Sequence, residues 1–490
     1  MEIPKYIQET LIKLEKNKYE AFVVGGCVRD LLMGFAPKDW DITTKARPEE
    51  ILKVFPDAKY ENEFGTVLVK VKNKKGETEN VVEVTTYRSE QGYSDRRRPD
   101  EVRFEDKLEK DLERRDFTIN AMAMKLKAES GKQKAGKEEF DTIDLFGGVK
   151  DLEKKVIRAV GEPIDRFKED ALRLMRAVRL ASQLKFGIEP KTERAMTKMA
   201  GSIKFIAKER IKDELIKILE SDRAYEGMMK LHELKLLQYI MPELERGIKI
   251  NQDRHHIYTV FKHSMLSLKH CPSKDWRVRL AALLHDIAKP QTKKIINGVA
   301  TFYNHEYAGA KMAKKIMQRL RFSNDDTDKV TNLIRHHMFY YNADEVTASS
   351  VRRLVRKVGR ESLKDLIDLR IGDRLGSGVP KAKPYKLRHL EYMMKRVQND
   401  PVSVKMLKIN GDYMIAKLGF KPGPKMGAIL DILLSEAVED PKLNNLKYLA
   451  GRVKELDKSD LAELRKQAKA MIEEKNKEDD QKMKEEFWVK

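Results

Sequence analysis

The stretch VVGGCVRDLLMGFAPKDWDITT, Val23 to Thr44, decides how the first third of this chain folds. Its opening valines read as a strand that ends at Gly25 and Gly26, where no Cβ keeps an anion away from backbone N–H groups. The run VRDLLMG then reads as a helix whose N-terminal dipole favours phosphate, and Arg29 on it is a candidate nucleotide contact. Asp39 and Asp41 flank Trp40 at i and i+2, which on a strand turns both carboxylates to one face. Paired carboxylates repel each other. A hard divalent cation relieves the repulsion and keeps positions open for water and phosphate oxygens. Glu83, in VVEVTT, is placed to join them from a neighbouring strand.

Working outward, AFVVGG, GTVLVKVK and NVVEVTTYR carry the β-branched enrichment of strands, and after about residue 150 such signals almost vanish. DRFKEDALRLMRAVRLASQLKF and AKERIKDELIKILES have helical spacing, interrupted at Gly161 to Pro163, Pro272, Pro290 and Pro422 to Pro424. The expected architecture is an α+β head followed by an elongated all-α body. Expected boundaries are a head over 1–145, a helical neck over 146–250, a histidine-rich domain over 251–380, and a helical body with a charged tail over 381–490.

The 490 residues include 99 Lys and Arg against 78 Asp and Glu, a net charge of +21 that argues for a polyanionic partner. The competing reading is a heavily solvated, thermophile-like surface. No run of 18 apolar residues spans a membrane, and the acidic N-terminus lacks a signal-like apolar core. Cys27 and Cys271 give no disulfide framework, so a reducing cytoplasm is expected.

GGCVRD, DWDIT, EVTTYR, RRDFTINAMA (Arg114–Ala123) and the run Asp144–Ala181 occur in an order that resembles the polymerase-β-like nucleotidyltransferases. More closely, they resemble the class II tRNA nucleotidyltransferases and their poly(A) polymerase relatives. The resemblance implies a head in which Asp39 and Asp41 hold two Mg2+ ions, with tRNA, CTP and ATP as substrates. Arg115, Asp116 and Asn120 would contact triphosphate and ribose.

In EDALRLMR, Asp170 and Arg173 are three apart, which on one helix puts them on a shared face. An aspartate only accepts hydrogen bonds and a guanidinium only donates. Cytosine and adenine present an amino donor beside a ring-nitrogen acceptor, so Asp170 and Arg173 can serve both; uracil and guanine reverse that order. The resemblance puts the base-selecting template at this position. An ordinary ion pair is the alternative. Glu169 is a candidate for fixing Arg173, and Arg176 and Arg179 continue an arginine row toward phosphate or neighbouring acids. Forms of the family that add only CC look shortened in the segment that here runs Ser89–Glu113, with Asp95, Arg97 and Arg98 in place. Addition of full CCA is therefore favoured over an A-adding enzyme or a poly(A) polymerase.

Eight of the ten histidines fall between His255 and His337. His263, His285, Asp286 and Asp373 match the ligand order of HD-domain phosphohydrolases, with His305 and His336 as extra ligands or phosphate contacts. A divalent transition metal suits such an imidazole–carboxylate set. An accessory phosphohydrolase activity is implied, and a phosphohydrolase with an RNA-binding head is the alternative reading. Lys421 and Lys425 flank the Pro-Gly-Pro turn at a helix opening and are candidate tRNA phosphate contacts.

Overall fold

The computed structural model describes residues 3–62, 65–72, 77–91, 101–127, 140–252, 257–339, 347–379, 381–397 and 404–466. The chain divides into two compact units, Met1–Pro242 and Glu243–Lys490.

The first unit is organised on a mixed sheet. Its strands are β1 (Ala21–Val24), β2 (Asp41–Thr44), β3 (Lys59–Asn62), β4 (Thr66–Lys72) and β5 (Thr78–Thr86). They continue with β6 (Arg88–Gln91), β7 (Glu101–Phe104), β8 (Met122–Leu126) and β9 (Phe140–Asp144). Seven of them pair in the order β3-β4-β5-β2-β1-β8-β9, and β6 with β7 forms a separate antiparallel pair. Only the β2–β5 pairing is parallel within that sheet, and it sets Asp41 opposite Glu83.

β1 is buried on both faces, which explains its unbroken apolar run. Ala21 and Val23 join Ile7, Leu11 and Leu14 of α1 (Lys5–Lys16), together with Ile42, Val67, Val82 and Val84. Phe22 and Val24 face the other way, onto Tyr87, Leu108 and Leu112. The 7, 11, 14 spacing of α1 is the stripe that seals the first core. Leu11→Ala there would cost about 2–5 kcal/mol.

Four further helices belong to the head: α2 (Gly26–Leu32), α3 (Pro48–Val54), α4 (Leu108–Glu113) and α5 (Gly148–Glu153). The helical part of the unit follows with α6 (Pro163–Glu169), α7 (Arg173–Leu184), α8 (Pro190–Met199) and α9 (Lys208–Glu220). Val156–Ile157 and Gly187–Ile188 form a short parallel ladder there.

Among its described residues the second unit is helical apart from the hairpin Lys294–Ile296 with Val299–Thr301. The helices Val260–His270 and Leu363–Gly376 cross closely there. A Cβ on Gly372 would lie 2.6 Å from the Ser267 carbonyl oxygen, and one on Gly376 would strike Ser267 as well. Only glycine permits that approach, and it brings His263 and Asp373 face to face. Farther on, Ile429, Ile432 and Leu433 of the helix Pro424–Glu439 pack on Leu449 and Val453. Among the described residues no helix is long and apolar enough to cross a membrane.

Candidate active site and metal centre

Gly25 has φ +84°, a conformation that L side chains rarely adopt, and it caps α2. A Cβ there would lie 2.8 Å from an Arg115 guanidinium nitrogen and 3.5 Å from Asp41 Oδ2. The glycine turn, the acid and the arginine are therefore immediate neighbours. Asp41 opens β2 and is half-buried; Asp39 lies before the strand and is exposed, as is Glu83. The expectation that both aspartates ride on the strand is corrected: β2 begins at Asp41, so Asp39 sits in the preceding loop.

Burial raises the Asp41 carboxyl above its ordinary range; Arg115 opposes that and Asp39 adds to it. Glu83 is raised by burial and then by the charges of Asp41, Glu61 and Asp39. Such mutually destabilised acids fit hard-cation ligands. They are not drawn into one cluster, however. Among the described residues, the groups of three or more ligand side chains with donor atoms within 4.8 Å of one another are both in the second unit.

Behind this edge runs a connected polar network. Arg29 donates to Asn120 Oδ1 at 2.7 Å and to Asp30 at 2.7 and 2.8 Å. Asp116 Oδ1 accepts from Asn120 Nδ2 at 3.1 Å and from the Phe117 N–H at 2.8 Å, while Arg176 Nε donates to Oδ2 at 2.7 Å. Burial works against the Asp116 charge. Arg176, the Asn120 hydrogen bond and Arg173 outweigh it and hold the carboxyl far below its usual range. Asp116 is thus an ionised, buried strut with both oxygens engaged. Arg115 is held by Asp111 at 3.2 Å, and Arg179 pairs with Glu214 at 2.6 Å.

The template pair requires a correction. Asp170 lies past the end of α6 in extended conformation, φ −135° and ψ 106°, and α7 starts only at Arg173. The two do not share a helix face. Asp170 instead pairs with Arg210, whose Nη2 is 2.7 Å from Oδ2. Arg173 Nη1 donates to Glu169 Oε2 at 2.6 Å and Nη2 to the Arg114 carbonyl at 2.8 Å. Glu169 does fix Arg173, as its adjacency suggested. Arg210 was missed because its relation to Asp170 is tertiary; its sequence signal was only the Arg210, Glu214 spacing on α9. Asp95, Arg97 and Arg98 lie outside the described residues.

In the second unit His263, His285, Asp286 and Asp373 converge, all buried. His263 Nε2 is 3.0 Å from His285 Nε2, 3.1 Å from Asp286 Oδ2 and 3.3 Å from Asp373 Oδ1. On the other side of Asp286, Oδ1 is 3.2 Å from His305 Nε2 and 3.9 Å from His337 Nε2. His305 therefore belongs to the cluster, and its partner is His337 rather than His336. His336 lies outside it, where burial and then Arg335 and Lys357 push its pKa down to about 4.

Backbone carbonyls set the ring orientations. His285 Nδ1 faces the Ala282 oxygen at 2.8 Å, His305 Nδ1 that of Phe302 at 2.7 Å, and His337 Nδ1 that of Ile334 at 2.7 Å. A carbonyl only accepts, so each Nδ1 carries hydrogen and each neutral ring points its Nε2 lone pair inward. Burial disfavours charge on His285, but Asp286 and Asp373 raise its pKa to about 10, whereas burial and then His285 and His305 hold His337 well below the ordinary imidazole range. Inward imidazoles with two carboxylates are a donor set that fits a divalent transition metal. Lys289, 2.7 Å from Asp286 and 2.6 Å from Gln252, was also missed, although its i+3 spacing from Asp286 was visible.

At the C-terminal turn, Lys421 is exposed, but Lys425 is tied to the Asp457 carbonyl at 2.6 Å and its carboxylate at 2.9 Å. Its position at the helix opening thus serves a packing contact as well.

The Poly A polymerase head domain matches residues 21–158, the probable RNA and SrmB-binding site of polymerase A matches 185–248, and the HD domain matches 254–377. The CCA-adding enzyme of Limosilactobacillus reuteri is 33% identical over 454 residues, 91% of this chain and 96% of the relative. The chain belongs to the tRNA nucleotidyltransferase family. Within that family it is also 35% identical to the A-adding tRNA nucleotidyltransferase of Deinococcus radiodurans, over 66% of this chain and 74% of the relative. The structure of the Bacillus stearothermophilus CCA-adding enzyme in complex with CTP aligns with TM-score 0.66 and 26% identity, over 93% of this chain and all of that one.

Proposed function

We propose that this tRNA nucleotidyltransferase adds CCA to the tRNA 3′ end from CTP and ATP. The observation that carries the reading is the likeness to CCA-adding enzymes along nearly the whole chain, with the Gly25, Asp41 and Arg115 edge intact. Asp39 and Asp41 would hold two Mg2+ ions, which when bound lower the pKa of the primer hydroxyl and stabilise departing pyrophosphate. Gly25 and Gly26 let the backbone approach the triphosphate, and Arg115 and Arg29 meet its charge. Glu83, raised by burial and then by its acidic neighbours, would take the proton of the attacking 3′-hydroxyl. The oxygen joins the α-phosphorus as the bond to pyrophosphate breaks. Asn120 and Arg176, held by Asp116, support the nucleotide; Asp170 accepts from the base amino group while Arg173 donates to the ring nitrogen. Lys421, together with Lys425, would meet tRNA phosphate.

The test uses purified protein with transcripts ending before CCA, after C, or after CC, each given CTP, ATP, both, or UTP and GTP. Two C additions, one A, and a stop are expected. A alone on the CC-ended transcript would make this an A-adding enzyme, and a long A tail a poly(A) polymerase.

A second reading concerns the HD cluster. The two carboxylate oxygens of Asp286 face different histidine pairs, which favours a site for two adjacent divalent cations and a phosphohydrolase activity. Metal bound there would supply an activated water. Hydrolysis of a 2′,3′-cyclic or terminal phosphate on RNA that disappears in His285→Ala would support it; equal activity in that variant would sink it.

A further inference from the structure

We propose that Arg210 is a positioning residue for base selection: it holds the Asp170 carboxylate so that one acceptor site remains for the incoming base. This deepens the template reading above and rests on it. Asp170 lies between α6 and α7 in extended conformation; its backbone bonds to the Arg166 carbonyl at 3.4 Å and the Arg173 N–H at 3.0 Å leave the side chain to be fixed by other contacts. Its Oδ1 accepts from the Leu172 N–H at 2.9 Å and from Arg210 Nη1 at 3.3 Å; its Oδ2 accepts from Arg210 Nη2 at 2.7 Å. A carboxylate offers about four acceptor positions, two on each oxygen. The Leu172 amide and the two Arg210 nitrogens occupy three, which leaves one on Oδ2.

A single amino hydrogen of cytosine or adenine fills one such position. The two-pronged contact also fixes the plane of the carboxylate, because the guanidinium fork is rigid. Arg173 is immobilised in parallel by Glu169 and by the carbonyls of Arg166 and Arg114, so both readers are held by groups the base never touches. A free carboxylate could turn toward the N–H donor of uracil or guanine. A fixed one cannot, and selectivity then follows from orientation as well as from residue type.

α9 is fastened to the template segment at a second point, one turn beyond Arg210, where Glu214 pairs with Arg179 of α7 at 2.6 Å. This contact provides the control. Glu214→Gln weakens the docking of α9 without touching Asp170, whereas Arg210→Ala frees the carboxylate.

Single-nucleotide addition to a transcript ending before CCA would be measured for CTP and UTP with wild type, Asp170→Ala, Arg210→Ala, Arg210→Lys and Glu214→Gln. Arg210→Ala is expected to raise the KM for CTP on the order of tenfold, with a smaller change in kcat and new UTP incorporation. Arg210→Lys should restore part of the KM, since one ammonium binds an oxygen without fixing the plane. Glu214→Gln should keep the preference for CTP. If Arg210→Ala does not fold, Arg210→Gln carries the same expectation. Asp170→Ala relaxing base choice while Arg210→Ala stays selective would overturn the inference and leave the template reading standing. Equal relaxation in Glu214→Gln would reduce Arg210 to a helix brace. Unchanged selectivity in Asp170→Ala would remove the template reading itself, and the inference with it.

Discussion

The acidic edge of the head and the histidine cluster of the second unit both collect metal-type ligands, yet they are built on opposite principles. In the head, Asp39 and Glu83 are exposed, Asp41 is half-buried, and the three do not gather within 4.8 Å. In the second unit every candidate ligand is buried and each of three rings is locked by a backbone carbonyl. An edge of carboxylates leaves room for oxygen atoms from a substrate to complete a hard cation's shell. A closed set of imidazoles and carboxylates can provide most of the shell from the protein, so it suits a cation bound before any substrate. The lesson is that burial, not ligand count, separates a site finished by substrate from one finished by folding.

Three variants would break or sharpen that contrast. The largest effect is expected for Asp41→Asn, which should lower nucleotide incorporation on the order of a thousandfold while tRNA binding by gel shift persists. Retained incorporation would mean that the head's acids are not the cation holders. Next, metal analysis of purified full-length protein should show His337→Ala losing about half of the bound transition metal, because His305 and His337 serve only one oxygen of Asp286. An unchanged content would confine binding to the His263 and His285 side.

The smallest effect tests burial directly. Asp275, at the N-terminus of the helix Trp276–Leu284, opposes its burial through Arg277 and Lys329, which draw its pKa down to about 2. A depressed carboxylate stabilises the fold above its unfolded pKa of about 3.9 and loses that contribution as pH falls toward 2. Wild type should therefore melt modestly above Asp275→Asn at pH 6, and the gap should close between about pH 4 and 2. A gap that does not change with pH would show that shape, not charge, sets the contribution.

Much of this was legible in the chain itself. The two glycines, the acids and the strand runs specified the head because strand period and turn chemistry are local properties. The types and order of the histidines likewise pointed to a cluster, and the structure brings His263, His285, Asp286 and Asp373 together. Where the reading failed, the failing assumption was local continuity. Asp170 and Arg173 have helical spacing, but the backbone breaks between α6 and α7 and gives Asp170 to an arginine 40 residues away. His336 and His337 are adjacent, and only the end of the helix Asn324–Arg335 decides which ring enters the cluster.

The sequence by itself therefore determined the mixed head, the helical body, the residue types of both sites and the family. Tertiary structure alone decided the partner of Asp170, the second histidine pair on Asp286, and the burial that makes one site closed and the other open. The physical reason is one of range. Propensity and periodicity act over a few residues, whereas hydrogen-bond partners and desolvation are fixed only when distant segments pack.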